Sequence, residues 1–118
     1  MHTVLVVEDD PALRALMVRT LSAKGYRALE ASDGIEALER LAAEPDIELV
    51  VTDIVMPRMN GVELAQHLAA SVRTRLLFVS AFGKEYTELP GALLEKPFSP
   101  AALIAQVERL LEIQAPSH

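Results

Sequence analysis

The sequence predicts an α/β domain with one doubly wound parallel sheet of five strands. Over its 118 residues, short apolar runs rich in β-branched residues alternate with segments whose apolar residues recur at helical spacing. The apolar runs are almost continuous, which is typical of parallel strands covered by helices on both faces. Strict alternation of the two kinds of segment favours right-handed crossovers and a single sheet. The length suits one domain with its own core.

Three of the strands are strong and two are weak. Residues 4–7, 48–52 and 76–79 are the near-continuous apolar runs, and we expect them at the centre of the sheet. Residues 27–31 and 92–95 carry a weaker strand pattern. All five runs are short and lie apart in the sequence, as parallel strands joined by crossovers require.

Four helices are expected, each with an apolar stripe along one face. The stripes comprise Leu13, Leu16, Met17, Thr20 and Leu21; Ile35, Leu38, Leu41 and Ala42; Leu64, Ala65, Leu68, Ala69 and Val72; and Leu103, Ile104, Val107, Leu110 and Leu111. Polar residues suited to N-capping precede these helices. Asp10 and Ser99 each stand before a proline, Asn60 is expected to cap the third helix, and either Ser32 or Asp33 the second.

The interval between the fourth and fifth strands breaks the alternation. It reads AFGKEYTELPGA and contains two glycines and a proline, so a full helix hardly fits there. We therefore expect a shortened or irregular fourth helical segment, followed by the fifth strand and the last helix.

Composition excludes several classes of protein. There is no cysteine, so disulfides and thiolate metal sites are ruled out, and a reducing cytoplasm suits the chain. No leader sequence follows Met1, and no apolar stretch approaches the roughly 20 residues of a membrane helix. The net charge is −6 and the basic residues are scattered, so no surface for nucleic acid is expected. We expect a soluble, cytoplasmic monomer.

Residues that can carry chemistry lie where the predicted strands end. In open parallel sheets, ligands bind outside the carboxyl ends of the strands. The polar residues at these ends are Glu8, Asp9 and Asp10 after the first strand, Asp53 after the third, Ser80 after the fourth and Lys96 after the fifth. All of them are groups that can serve a phosphate or a metal ion.

The acidic residues among them need a positive partner. Two carboxylates about 5 Å apart repel by roughly 3 kcal/mol at an effective dielectric constant near 20. Oxygen ligands without His or Cys suit Mg²⁺, with Mn²⁺ as a substitute, and Lys96 adds a second positive charge. A carboxylate in such a place can also attack phosphorus and form an aspartyl phosphate, which the metal, Lys96 and the Ser80 hydroxyl would stabilise.

Four segments, VVEDDPALR, VVTDIVMPRMNG, FVSAF and LLEKPFSPAAL, together resemble the receiver domain of two-component response regulators. The resemblance covers essentially the whole chain. It implies a flavodoxin-like fold with strand order 2-1-3-4-5 over residues 1–114, with residues 115–118 as a short C-terminal tail. The short interval before the fifth strand is similar to that of some single-domain regulators and of receivers attached to hybrid histidine kinases.

The resemblance also implies a role for the acidic residues. Asp53 is the expected phospho-acceptor. Glu8 and Asp9 match the acidic pair, with Asp9 as the direct metal ligand, and the Val55 backbone carbonyl matches the third protein ligand. Asp10 lies one place beyond the pair and is left as a helix cap.

Two further residues match the family pattern. Ser80 matches the switch hydroxyl, and Lys96 matches the lysine of the pattern, with a cis peptide to Pro97. The implied function is two-component signal transduction, in which a histidine kinase or histidine phosphotransfer protein phosphorylates Asp53 in a Mg²⁺-dependent reaction and a changed surface reaches a downstream protein target. Such a domain catalyses its own phosphorylation and slow dephosphorylation, and is a signalling phospho-acceptor rather than a conventional enzyme.

Two departures from the pattern bear on this function. Leu93 stands where receivers typically carry Tyr, Phe or His, so Phe82 and Tyr86 are further candidates for an aromatic switch. Val55 and Phe82 lie two residues after the phospho-acceptor and the switch hydroxyl, and both are apolar. Neither side chain can orient a water molecule that hydrolyses an acyl phosphate, so we expect slow self-dephosphorylation.

Three other functions are alternatives. A pseudo-receiver would keep the fold as a phosphorylation-independent interaction module, but here all the expected site residues are present. A phosphohydrolase of the haloacid dehalogenase kind also uses an aspartyl phosphate, but it needs a second Asp where this chain has Val55. A flavin-binding module would need a phosphate loop rich in Ser, Thr and Gly after the first strand, where the acidic residues would repel the cofactor.

Overall fold

The computed structural model describes residues 2–55, 59–68, 74–81 and 91–114. Strands and helices follow in the order β1 (Thr3–Val7), α1 (Pro11–Ala23), β2 (Arg27–Ala31), α2 (Gly34–Ala43), β3 (Ile47–Asp53), α3 (Gly61–Leu68), β4 (Arg75–Ser80), β5 (Ala92–Glu95) and α4 (Pro100–Gln114). The expected irregular segment falls mostly on residues 82–90, which lie outside the described residues, as does the predicted tail 115–118. Within the described ranges, no helix has the length and apolar character needed to cross a membrane.

The strands form one sheet in the order β2-β1-β3-β4-β5, and every neighbouring pair is parallel. This confirms the predicted fold class and strand order. The register pairs Val7 with Thr52 and Asp53 with Val79. The residues that follow β1, β3 and β4 therefore emerge together at the carboxyl end of the sheet.

Apolar clusters cover both faces of the sheet. Successive residues of a strand point to opposite faces. Val4 and Val6 of β1 pack with residues of α1 and α4, whereas Leu5 and Val7 pack with residues of α2 and α3. The domain thus has three layers, with the sheet between two pairs of helices.

The predicted helical stripes are partly wrong. Leu16 is 44% exposed, whereas Met17 and Leu21 are buried and Leu13 packs against them. Because successive residues of a helix are turned by about 100°, Leu16 lies a little more than a quarter-turn from the line through Leu13, Met17 and Leu21. That line faces the sheet, and Leu16 faces away from it. On α2, Ala42 is likewise exposed.

The helices begin at the predicted caps. Asp10 accepts hydrogen bonds from the backbone N–H groups of Ala12 and Leu13 at the start of α1. Ser99 Oγ accepts one from the N–H of Ala102 at the start of α4. These bonds satisfy N–H groups that have no partner within the helix.

The other two caps involve pairs of residues. Asp33 rather than Ser32 caps α2, because its side chain accepts from the Glu36 N–H at 2.8 Å while the Glu36 carboxylate accepts from Ser32. At α3, the Glu63 N–H donates to Asn60 Oδ1 at 2.8 Å, and the Asn60 N–H donates to the Glu63 carboxylate at 3.1 Å. Such reciprocal bonds form a capping box.

Candidate functional site

Three charged side chains meet where β1, β3 and β5 end. The Lys96 ammonium donates one hydrogen bond to Glu8 Oε1 at 2.9 Å and another to Asp53 Oδ2 at 2.7 Å. Glu8 and Asp53 are buried, and the Lys96 side chain is largely buried. One positive charge therefore lies between two buried negative charges, and the three residues stand at the ends of strands that are distant in the sequence.

Glu8 is held at both its backbone and its carboxylate. Its N–H donates to the Ala31 carbonyl of β2 at 3.1 Å, and its second carboxylate oxygen accepts from the Asp10 N–H at 3.1 Å. Burial raises the pKa of Glu8 above its ordinary value, and the hydrogen bonds from Lys96 and from the Asp10 N–H oppose that rise. Both carboxylate oxygens of Glu8 thus have a donor that favours the charged form.

Lys96 is placed by the main chain at the end of β5. Its N–H donates to the Ser80 carbonyl at 3.0 Å, and the Lys96–Pro97 peptide bond is cis, as the resemblance implied. Burial alone would lower the pKa of Lys96, but the hydrogen bonds to Asp53 and Glu8, together with their charges, raise the pKa above its ordinary value. The ammonium is therefore charged at neutral pH.

Asp9 completes a group of oxygen ligands. One carboxylate oxygen from each of Glu8, Asp9 and Asp53 lies within 4.8 Å of the other two, and Asp9 is exposed to solvent. Asp53 also accepts a hydrogen bond from the Val55 N–H at 3.3 Å, which brings the Val55 backbone beside the carboxylates. Carboxylate and carbonyl oxygens suit Mg²⁺, which usually keeps several water molecules that an exposed side can admit. The residues fit this ion.

Ser80 and Val55 differ in their access to solvent. Ser80 ends β4 and is buried, one residue beyond Val79, which pairs with Asp53 in β3. Val55 is 57% exposed as a residue, so an apolar residue faces water two positions after Asp53. The structure thus brings all the residues predicted at the strand ends to one end of the sheet.

Of the three candidates for the switch, Leu93 alone lies within the described residues. Leu93 of β5 pairs with Phe78 of β4 and packs beside it and Ala65 of α3. Phe82 and Tyr86 lie outside the described residues. Leu93 is therefore a packing residue on the side of the sheet that carries α3.

Two residues near the site were not predicted from the sequence. A Cβ atom at Gly61 would collide with the carbonyl oxygen of Asp53, so glycine lets α3 begin close against the end of β3. Arg14 of α1 donates from Nη1 to the Glu8 carbonyl at 2.8 Å. The sequence offered only weak signals for them, namely a glycine after a helix cap and an arginine within a helix.

Comparison with known proteins agrees with this geometry. The model of a family described as the response regulator receiver domain matches residues 4–108. The response regulator receiver protein CpdR of Brucella abortus (strain 2308) is 33% identical over 118 residues, which cover 94% of this chain and 98% of that protein. The sensor kinase CckA of the same organism is 40% identical over 122 residues, which cover 95% of this chain but 13% of that protein.

The fold is also similar to that of solved structures. The crystal structure of the response regulator protein TrrA from Thermotoga maritima, in complex with Mg²⁺-BeF, has a TM-score of 0.84 and 28% sequence identity. The match covers 93% of this chain and 99% of that chain. The similarity therefore extends over nearly the whole of the TrrA chain and of CpdR, but over a small part of CckA.

Proposed function

Because the chain belongs to the response regulator receiver domain family, we propose that Asp53 accepts a phosphoryl group from a histidine kinase or a histidine phosphotransfer protein. Receiver domains are the signalling phospho-acceptors of two-component systems. Residues 1–114 are the proposed receiver domain, and residues 115–118 are its tail. The proposed cofactor is Mg²⁺, with Mn²⁺ as a substitute, and the proposed output is a change of the protein-binding surface.

The observation that carries the proposal is the Lys96 ammonium, which contacts Asp53 Oδ2 at 2.7 Å. A phosphoryl group on Asp53 would add oxygens directly beside this ammonium. A fixed positive charge at a largely buried carboxylate stabilises negative charge that develops there during the reaction.

The proposed reaction moves a phosphoryl group from nitrogen to oxygen. A carboxylate oxygen of Asp53 attacks phosphorus, the P–N bond of the donor phosphohistidine breaks, and its electron pair stays on the departing imidazole nitrogen. With acetyl phosphate, a P–O bond breaks instead and acetate leaves. The product in both cases is an acyl phosphate on Asp53. Positioning and charge stabilisation supply most of the catalysis in such transfers.

Glu8, Asp9, Asp53 and the Val55 backbone carbonyl are the proposed metal-holding groups. When bound, the ion would offset the repulsion among the carboxylates and among the phosphoryl oxygens. Asp9 is the proposed direct ligand, because its carboxylate is exposed whereas that of Glu8 already accepts from Lys96 and the Asp10 N–H.

Ser80 is the proposed switch residue, because its hydroxyl lies at the end of the strand next to β3. In the proposal, this hydroxyl turns toward the new phosphoryl group and changes the end of β4. The surface that a partner protein meets would change with it. Leu93, Phe82 and Tyr86 are the residues proposed to report this change.

The exposed Val55 side chain supports slow hydrolysis of the phosphorylated state, because it has no polar group to hold a water molecule. Val55→Glu should shorten the lifetime of the phosphorylated form by up to about 100-fold, the lower end of what a positioned general base contributes. Release of inorganic phosphate from purified phosphoprotein measures the lifetime. An unchanged lifetime in the variant would contradict this part of the proposal.

Incubation with acetyl phosphate and Mg²⁺, followed by intact mass measurement, tests the proposal. The wild-type protein should gain one phosphate, the gain should need the metal, and Asp53→Asn should gain none. Asp46→Asn removes an exposed acid before β3 and should behave as the wild type does. If the folded wild type gains no phosphate from acetyl phosphate or from a cognate kinase, an interaction-only pseudo-receiver becomes the better description.

A further inference from the structure

We propose that Arg14 is a positioning residue for Asp9, acting through the peptide group that joins Glu8 to Asp9. The inference rests on the proposed function, in which Asp9 is the direct metal ligand. Arg14 lies on α1 and holds the main chain of residues 8–10, which we call the acidic loop.

The Asp9 side chain has no anchor of its own within the described part of the chain. No described donor bonds to its carboxylate, and the side chain is exposed. The neighbouring Glu8 carboxylate, in contrast, accepts from Lys96 and from the Asp10 N–H. The direction in which Asp9 points therefore depends on the main chain that carries it.

Arg14 holds that main chain at its carbonyl oxygen. Its Nη1 donates to the Glu8 carbonyl at 2.8 Å. Because the peptide group is planar, a hydrogen bond at this oxygen also fixes the nitrogen and Cα of Asp9. The Glu8 N–H is held in turn by the Ala31 carbonyl at 3.1 Å. The chain is thus restrained on both sides of Glu8, immediately before Asp9.

Glu30 orients Arg14. The Arg14 Nε donates to Glu30 Oε1 at 2.9 Å, and the Arg14 side chain is largely buried while Glu30 is about half exposed. The planar guanidinium directs two nitrogens to two acceptors at once, which the single ammonium of a lysine cannot reproduce. The Glu30 carboxylate also offsets the positive charge that Arg14 brings near a cation site.

A positional role of Arg14 and a purely electrostatic one predict opposite effects of its removal on the affinity for Mg²⁺. If Arg14 acted only through its charge, Arg14→Ala would remove a repulsive cation and tighten Mg²⁺ binding. If Arg14 positions Asp9, Arg14→Ala should weaken Mg²⁺ binding about tenfold, the lower end of the loss seen when residues that orient metal ligands are removed. Arg14→Lys keeps the charge but loses the paired geometry, so it should also weaken binding.

Titration of the full chain with MgCl₂, followed by ¹H–¹⁵N NMR, gives the dissociation constant and reports in the same spectra whether each variant is folded. Arg40→Ala is the matched control. Arg40 Nε also donates to a backbone carbonyl, that of Glu30 at 3.1 Å, but its hydrogen bond is to β2 and not to the acidic loop. The Arg40→Ala variant should bind Mg²⁺ as tightly as the wild type does, whereas the Asp9→Asn variant should bind it far more weakly.

The outcomes separate the inference from the proposed function. Mg²⁺ binding that depends on Asp9 but is unchanged or tighter in the Arg14 variants would overturn the inference alone. An equal loss in Arg40→Ala would overturn it as well. A folded wild type without Asp9-dependent Mg²⁺ binding would overturn the proposed function and the inference together. If Arg14→Ala does not fold, the inference is tested by comparing the Mg²⁺ affinity of Arg14→Lys with those of the wild type and of Arg40→Ala.

Discussion

The ion pairs at the two ends of the sheet differ in how far their side chains are exposed to solvent. At the carboxyl end, Lys96 pairs with Glu8 and Asp53, and the three side chains are 21%, 1% and 11% exposed. At the amino end, Arg27 pairs with Glu44, and these side chains are 43% and 35% exposed. Buried charges lose their hydration, and their mutual attraction does not always offset that loss, whereas water screens exposed pairs.

The difference shows which ion pairs need a reason beyond stability. The exposed pair at the amino end is an ordinary surface feature of a folded domain. Disrupting the buried cluster at the carboxyl end is expected to lower the free energy of unfolding strongly, since loss of any partner leaves an uncompensated buried charge. Under the proposed function, the cluster is kept because phosphoryl transfer requires it.

The largest loss of stability is expected when the carboxyl-end cluster loses its cation. Lys96→Ala leaves the carboxylates of Glu8 and Asp53 without their shared donor. Removing one partner of a fully buried pair costs roughly 3 to 5 kcal/mol, and because Lys96 is partly exposed we expect about 2 kcal/mol. Urea unfolding measures the loss, and excess Mg²⁺ should restore part of it. Wild-type stability in this variant would remove the contrast between the two ends.

A smaller loss is expected for a buried acid at the same end that has a structural role. Asp33 is buried and caps α2 through the Glu36 N–H. Asp33→Ala should lower the free energy of unfolding by about 1 kcal/mol, the usual value for an N-cap. The same urea measurement should give this value with and without Mg²⁺. A loss that Mg²⁺ restores would place Asp33 in the charge cluster instead.

A still smaller, pH-dependent effect is expected at Glu36. The backbone N–H and then the hydroxyl of Ser32 donate to this carboxylate and lower its pKa. A lowered pKa in the folded state gives stability that is present above the unfolded value of 4.5 and is lost as the pH falls through the folded value. Wild type should therefore be more stable than Glu36→Gln at pH 7, and the difference should shrink below pH 4.5. A constant difference would rule out ionisation as its origin.

The smallest effect is expected at the amino end. Arg27→Ala breaks an exposed pair that water and salt already screen. The unfolding midpoint should be unchanged within error, at both low and high NaCl concentration. A loss at both concentrations would show that the Arg27 side chain stabilises the fold by packing, and the amino-end pair would no longer serve as the reference for the buried cluster.

The sequence was sufficient to predict those features of the fold and site whose physical cause is local or topological. Asp10, Asn60 and Ser99 act on N–H groups two or three residues ahead, so each cap can be recognised from its own segment. The site residues were predictable for a different reason. Strands in a parallel sheet all end on the same side, so Asp53 and Lys96 could be placed together without any knowledge of side-chain geometry.

The sequence was insufficient where contacts between distant elements decide the outcome. Leu16 fits a helical stripe as well as Met17 does, and only the docking of α1 on the sheet selects between them. Gly61 matters because α3 lies against the Asp53 carbonyl. Arg14 matters because its guanidinium returns to the end of β1. Neither of these two contacts can be predicted from residue type or spacing alone.

The chain separation within the charge cluster bears on how the protein is made. Lys96 lies 88 residues after Glu8 and 43 residues after Asp53. Since synthesis runs from the N-terminus, both acids leave the ribosome well before the lysine does. Until Lys96 is made, the two acids have no ammonium to pair with, so burying them together would leave uncompensated negative charge. The last strand and the lysine that follows it therefore supply an edge of the sheet and the internal cation together.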